Sequence, residues 1–223
     1  MKLIDLKQMI DHTNLKPYAE TSDFKKLCAE ADEYQFKMVA INPAATEVCA
    51  AFLENSPVHV GAAIGFPLGQ TTLDCKLFET KDAIAKGADE IDYVINIGAL
   101  KEKKYAYLEQ EMEAIVAICR EHQVISKVIF ENCYLTESEK IKMAEIAKKV
   151  EPDFIKTSTG FGTSGATASD VRLMKETVGD KVKVKAAGGI RDLRTAMLMI
   201  EAGAERLGTS SGIAIVKEWE EQQ

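Results

Sequence analysis

Eight strand-like runs alternate with eight helix-like runs along this chain, and few folds accept that order. The strand-like runs fall at 9–12, 36–41, 58–64, 90–95, 125–131, 153–157, 181–186 and 205–208. Helical patterns fill the intervals at 21–35, 44–54, 70–86, 104–122, 136–149, 167–178, 191–202 and 211–220. Local chemistry supports these boundaries. Thr136 and Glu139 have capping-box spacing ahead of the apolar positions Ile141, Ala144, Ile146 and Ala147. Thr21 precedes Leu27, Ala31 and Tyr34 at helical spacing. Gly87 and Gly203 each follow a helical run and precede a strand, where a glycine ends a helix by turning left-handed. No Pro/Ser-rich linker, low-complexity tract or shift in composition divides residues 1–223, so one domain is expected. Eight strand–helix pairs in this length predict an α/β architecture, a single (β/α)8 TIM barrel. The competing doubly wound sheet would carry its dinucleotide fingerprint after the first strand. Gly160-Phe161-Gly162-Thr163-Ser164-Gly165 matches that fingerprint by letter, but it follows the sixth strand and lacks the acidic ribose partner.

Charge and cysteine usage exclude several roles. A formal net charge of −7 without any basic run argues against nucleic acid or an anionic membrane as partner. Cys28, Cys49, Cys75, Cys119 and Cys133 form no Cys-x-x-Cys pair, which is the usage of reduced thiols in a cytoplasmic protein. The start, Met1-Lys2-Leu3-Ile4-Asp5, reaches charge too early for a secretory signal, and no apolar run approaches a membrane span. His12, His59 and His122 lie far apart with no metal-ligand spacing, so no metal is expected.

In such a barrel the carboxyl ends of the strands converge on one mouth. Those ends carry Asp11, Thr13, Asn42, Asp92, Asn96, Glu131, Lys156, Ser158, Lys185, Ser210 and Ser211. Lys156 follows a short apolar run and precedes Thr157-Ser158-Thr159-Gly160, and two lysines at one mouth suggest amine chemistry. A lysine near its reference pKa of about 10.4 is protonated and no nucleophile. A second ammonium and partial desolvation favour the neutral amine, which attacks a carbonyl to form a Schiff base. A carboxylate such as Asp92 can then shuttle protons. This chemistry leaves open which lysine attacks. Gly188-Gly189 after the seventh strand and Gly208-Thr209-Ser210-Ser211-Gly212 after the eighth suit a phosphate, with Arg191 adding charge and Gly160 a further N–H. Period-two alternation places Lys183 below Lys185, Glu90 below Asp92 and Lys127 on the face of Glu131. Glu90, Lys127 and Lys183 are therefore expected to form a structural charged network at the bottom of the barrel.

Five motifs in order carry a resemblance. They are Ile10-Asp11-His12-Thr13-Asn14-Leu15-Lys16, Glu90-Ile91-Asp92-Tyr93-Val94-Ile95-Asn96, Phe154-Ile155-Lys156-Thr157-Ser158-Thr159-Gly160, Val184-Lys185-Ala186-Ala187-Gly188-Gly189-Ile190-Arg191 and Gly208-Thr209-Ser210-Ser211. With them the chain resembles the deoxyribose-phosphate aldolases nearly end to end. The resemblance implies a (β/α)8 barrel working without metal or organic cofactor. It implies Lys156 as the Schiff-base lysine, Lys185 as the lysine that perturbs it, and Asp92 as the proton relay. Asp11 would contact Lys185 and the substrate hydroxyls, with Thr13 among the substrate contacts. The phosphate would lie on Gly160, Gly188, Gly189 and Ser211, close to Ser210. The implied substrates are 2-deoxy-D-ribose 5-phosphate in one direction, D-glyceraldehyde 3-phosphate and acetaldehyde in the other. Barrels of this kind often form homo-oligomers, dimers or tetramers.

The chain departs from the family pattern at three places. Ala40 stands where many members carry a cysteine, which predicts less self-inactivation by reactive aldehydes. Asn132 stands where threonine is more usual, and is expected to affect only the wall. The end Glu220-Glu221-Gln222-Gln223 lacks the terminal tyrosine of longer members, so no tail-gated proton transfer is carried over. Two other functions compete: a phosphosugar isomerase or epimerase using Asp11 and Asp92, and a non-catalytic phosphometabolite-binding protein.

Overall fold

A computed structural model describes residues 2–222; Met1 and Gln223, the ends of the expected 1–223 unit, lie outside the described residues. Eight parallel strands close a barrel in sequence order: β1 (Ile10–Thr13), β2 (Met38–Ile41), β3 (His59–Ile64), β4 (Glu90–Val94), β5 (Ile125–Ile129), β6 (Phe154–Lys156), β7 (Lys183–Ala187) and β8 (Arg206–Thr209), with β8 paired back on β1. The connecting helices are α2 (Thr21–Glu33), α3 (Thr46–Phe52), α4 (Leu73–Ala85), α6 (Tyr105–Glu121), α7 (Glu137–Val150), α8 (Ala168–Val178), α9 (Leu193–Glu201) and α10 (Gly212–Glu221). Two further helices, α1 (Leu3–Lys7) and α5 (Ile97–Lys101), have five residues each and are absent from the sequence expectation. No helix among the described residues is long and apolar enough to cross a membrane.

Helix starts follow their caps. Thr136 Oγ1 accepts from Glu139 N at the head of α7 while the Glu139 carboxylate accepts from Thr136 N, as the spacing predicts. Asp192 caps α9 through Thr195 N at 2.7 Å. Gly87 and Gly203 close α4 and α9 at φ of 97° and 110°, where a side chain would be strained.

Strand alternation builds two layers. In β4, Ile91 and Tyr93 face the helices and pack with Met112, Ile115, Val128, Met143 and Ile155 in the larger apolar core. A second core under α2 and α3 joins Ile10, Phe24, Leu27, Phe36, Val39 and Ile41. Each such fully buried side chain contributes about 1.5–3 kcal/mol, which makes this outer layer the main source of stability. The opposite face of the strands is ionic. Register sets Asp92 against Lys127, Lys156 against Lys185, and Lys185 against Arg206. Met38 threads this row because Gly61, two residues along β3 from its register partner His59, has no Cβ; one there would lie 2.3 Å from the Met38 sulfur.

Candidate active site

A column of charged side chains fills the barrel axis. At its lower end Glu90 accepts from Arg206 at 3.0 and 3.1 Å, from Lys127 at 2.5 Å and from His59 at 2.7 Å. Lys127 Nζ reaches up to Asp92 Oδ1 at 2.6 Å, and Arg206 reaches Asp11 Oδ1 at 2.5–2.7 Å. At the upper end Asp92 Oδ2 accepts from Lys156 at 2.8 Å and from Lys185 at 2.7 Å, while Lys185 also holds Asp11 Oδ2 at 2.5 Å. Asp11, Glu90, Lys127 and Lys185 are wholly buried. A buried charge without a partner costs several kcal/mol, so the column is stable only as a connected whole.

The three lysines sit in different fields. Lys127 lies between two carboxylates; burial disfavours its charge, but Asp92 and Glu90 outweigh that and raise its pKa. Lys156 shares its one carboxylate with Lys185. Burial, opposed by Asp92 and reinforced by the Lys185 ammonium, pushes its pKa down to about 8. Asp92 is buried too, yet Lys127, Lys156 and Lys185 hold it well below the usual carboxylate range. Of the three amines only Lys156 lines the open cleft above the column.

That cleft measures about 290 Å³ and is walled by Thr13, Lys16, Lys156, Gly160, Phe161, Gly188, Gly189, Arg191 and Ser210 among others. Thr13 Oγ1 donates to Asp11 O at 2.9 Å and keeps its acceptor face free. Gly160, Gly188 and Gly189 have φ of 90°, 85° and 78°, and a Cβ on Gly160 or Gly189 would meet nothing within 4 Å. The backbone is thus bare toward the cleft on two sides, with the cationic Lys16 and Arg191 at the rim. This arrangement suits an anionic group at the outer end and a carbonyl at Lys156. A larger groove of about 700 Å³ runs outside the mouth along Gly65–Gln70 and α4, but no lysine lines it and the column does not open into it.

The structure therefore brings Lys156, Lys185, Asp92, Asp11, Thr13, Gly160, Gly188, Gly189 and Ser210 together. Ser211 stands aside: it does not line the cleft, and its N–H donates to Thr209 Oγ1 at 2.9 Å at the head of α10. Both aspartates offered for an isomerase are held in ion pairs, Asp11 by Lys185 and Arg206, Asp92 by three lysines. Asn96 caps α5 through Ala99 N and does not line the cleft. Asn132 lies in the wall, as expected, with its amide on the Met174 sulfur at 3.3 Å. Among the described residues no group of three or more His, Cys, Asp or Glu could hold a metal ion.

A family model described as DeoC/LacD family aldolase matches residues 3–218. The chain belongs to this aldolase family. A family member from Bacteroides thetaiotaomicron, named deoxyribose-phosphate aldolase, is 59% identical over 213 residues, 96% of this chain and 90% of that protein. One of the same name from Lactobacillus acidophilus is 58% identical over the same shares. The solved tetrameric deoxyribose phosphate aldolase from Aeropyrum pernix superposes with a TM-score of 0.92 at 30% identity, over 100% of this chain and 94% of that one.

One sequence expectation is corrected on this aldolase barrel. Lys183 is exposed at the lower rim of the barrel, its Nζ 5.6 Å from the Phe154 ring, and it makes no ion pair with Glu90. Phe154, one register step across on β6, blocks the way inward, and Arg206 stacks on the same ring at 5.6 Å and takes the place beside Glu90. The missed signal was parity: Arg206 is two residues before Gly208, whose missing side chain leaves room for Lys185, so both share the inner face.

Proposed function

We propose that this chain is a class I aldolase that reversibly cleaves 2-deoxy-D-ribose 5-phosphate to D-glyceraldehyde 3-phosphate and acetaldehyde through a Schiff base on Lys156. The observation that carries the reading is Lys156 itself: a buried amine with pKa about 8, hydrogen-bonded to Asp92 and open to a cleft with bare glycine backbone. The sugar phosphate is that of the Bacteroides thetaiotaomicron relative, a deoxyribose-phosphate aldolase.

The neutral Lys156 amine adds to the sugar's C1 aldehyde, and the carbinolamine loses water to an iminium. The C3 hydroxyl gives up its proton, the C2–C3 bond breaks, and its electron pair flows to the iminium nitrogen to give an enamine. A proton returns to the methyl carbon, and water releases acetaldehyde and the free amine. Asp92 Oδ2 touches both Lys156 and Lys185, so it offers a path for these protons. A carboxylate held so far below its usual range is a poor resting place for a proton, so Asp92 passes protons on and Lys185 carries them. Gly160, Gly188 and Gly189 would hold the phosphate, with Ser210, Lys16 and Arg191 around it, and Thr13 beside the sugar. Asp11, beneath Lys185, would orient that lysine.

The described barrel acts as one unit and, like the Aeropyrum pernix relative, is proposed to assemble as a homo-oligomer; light scattering on the purified protein would test this. Five free thiols favour a reducing, cytoplasmic setting. The decisive experiment is borohydride reduction in the presence of acetaldehyde, with the modified residue mapped by mass. An ethyl adduct on Lys156 is expected; an unmodified Lys156, or an adduct confined to another lysine, would refute the mechanism.

A further inference from the structure

Glu131 follows the last residues of the β5 run and is held in a left-handed conformation, φ 59° and ψ 63°, that non-glycine residues rarely take. Its carboxylate is buried, and among the described residues no lysine, arginine or histidine pairs with it. A strained backbone under a buried carboxylate with no ion-pair partner costs stability, and such arrangements persist where the surroundings use them.

The partners of Glu131 all lie on one loop, the stretch after β6. Oε1 accepts from Thr159 N at 3.1 Å, and Oε2 accepts from Thr159 Oγ1. That hydroxyl oxygen in turn accepts from Phe161 N at 3.0 Å. The loop then passes over the carboxylate so closely that a Cβ on Gly162 would lie 3.2 Å from Glu131 Cδ and 2.5 Å from Cys133 Sγ. From the other side Asn132 N donates to Thr157 O at 2.9 Å. The N–H groups of Thr159 and Phe161 are thereby drawn inward. Between them Gly160 is exposed on the cleft, and among the described residues its N–H has no protein partner. The same fold of the loop carries Phe161 to the rim, where its ring meets Phe66 edge-on at 5.4 Å between centroids. Burial pushes the Glu131 carboxyl up, against its bonds from Thr159 and the charge of Lys156.

We propose that Glu131 is a positioning residue that, through Thr159, aims the Gly160 N–H at the phosphate of the substrate. A clamp on Thr159 binds the N–H groups of 159 and 161 and leaves the N–H of 160 between them without a protein partner. The inference rests on the reading of this cleft as a phosphate site.

The test compares Glu131→Ala, Glu131→Gln and Thr159→Val with the wild type, using 2-deoxyribose 5-phosphate and unphosphorylated 2-deoxyribose. The rate of acetaldehyde–borohydride trapping is followed in parallel. Glu131→Ala and Thr159→Val are expected to raise KM for the phosphorylated sugar about tenfold, with kcat within about threefold and kcat/KM for the unphosphorylated sugar nearly unchanged. Trapping on Lys156 should keep its wild-type rate, and Glu131→Gln, which retains an acceptor for Thr159 N, should recover KM to within about threefold. A general loss of packing would lower both sugars and the trapping rate together, and that result would overturn the proposal. If the wild type itself shows no preference for the phosphorylated sugar, the phosphate reading fails and the inference with it. If the wild type shows the preference and Glu131→Ala keeps it, the inference alone fails. Should Glu131→Ala not fold, Thr159→Val decides, since its hydroxyl joins Glu131 to Phe161 N.

Discussion

Replacing Lys185 by methionine isolates what one ammonium does to another. Lys156 and Lys185 both donate to Asp92 Oδ2, at 2.8 and 2.7 Å, so their nitrogens lie within about 5.5 Å of each other. At an effective dielectric of about 20, two unit charges at that separation repel by about 3 kcal/mol, roughly two pKa units. Side-chain adjustment reduces the effect, so loss of the Lys185 charge should raise the Lys156 pKa by about one to two units from its value of about 8. Methionine keeps the length and volume in a fully buried position, and Asp11 retains Arg206 while Asp92 retains Lys127. At pH 7 the neutral fraction of Lys156 would fall from about 10% to between about 1% and 0.1%. The assay is the rate of acetaldehyde–borohydride trapping on Lys156 measured from pH 6 to pH 11. Wild type should show a midpoint near 8, and Lys185→Met a midpoint between about 9 and 10. The height of the alkaline plateau separately tests the proposed proton-carrying role of Lys185. A midpoint that stays near 8, or moves to lower pH, would show that Lys185 does not act on Lys156 through its charge.

Three further outcomes follow from the same packing. The folded pKa of Lys156, about 8, lies below its ordinary 10.5, so the buried ammonium opposes folding below pH 8 and the opposition fades between about pH 8 and 10.5. Lys156→Met should therefore gain about 1–3 kcal/mol in urea unfolding at pH 7 and little at pH 10; a variant less stable than wild type at pH 7 would contradict this. Lys76, wholly buried, donates to Glu111 Oε1 and to Val94 O at 2.7 Å each. Lys76→Ala should lose about 3–5 kcal/mol by leaving the Glu111 charge alone, and the apolar double variant Lys76→Met with Glu111→Leu should regain most of it. A Cβ at Gly165 would lie 2.2 Å from Gly188 O, so Gly165→Ala should part the loops after β6 and β7. Its kcat/KM for the sugar phosphate should fall more than about tenfold while the far-ultraviolet circular dichroism stays unchanged.

The barrel was legible because its signals are local and repeated. Strand runs, caps such as Thr136, and closing glycines such as Gly87 and Gly203 each state a boundary without reference to the rest of the fold. The helices that escaped notice, α1 and α5, span barely one and a half turns, too short for a periodic apolar stripe. Asn96 shows how one residue type serves two readings: at a strand end it resembles a site residue, yet its side chain caps the short helix α5 through Ala99 N three residues on. Along the axis, parity gave Glu90, Asp92 and Lys127 correctly, but it says nothing of which long side chain wins a contested place. Lys183 has the inner-face parity and is turned out by Phe154, while Arg206 has it and is let in. Nor could spacing choose between Lys156 and Lys185, because the choice depends on how carboxylates are shared across three strands.

The charged column has a further property, visible when its members are counted by sign. Asp11, Glu90 and Asp92 supply three negative charges, and Lys127, Lys156, Lys185 and Arg206 supply four positive ones when all are protonated. Among these seven side chains the count is odd, so one proton has no ion-paired carboxylate of its own. It is held least firmly at Lys156, the one amine with access to the cleft. Releasing it balances the column. Forming the proposed iminium restores the surplus on the bound substrate, and drawing electrons from the C2–C3 bond removes it again. The interior would thus favour each uncharged state of the nitrogen, the free amine and the enamine, over the charged states between them. A further carboxylate ion-paired within the column would remove that bias without touching a single reacting atom.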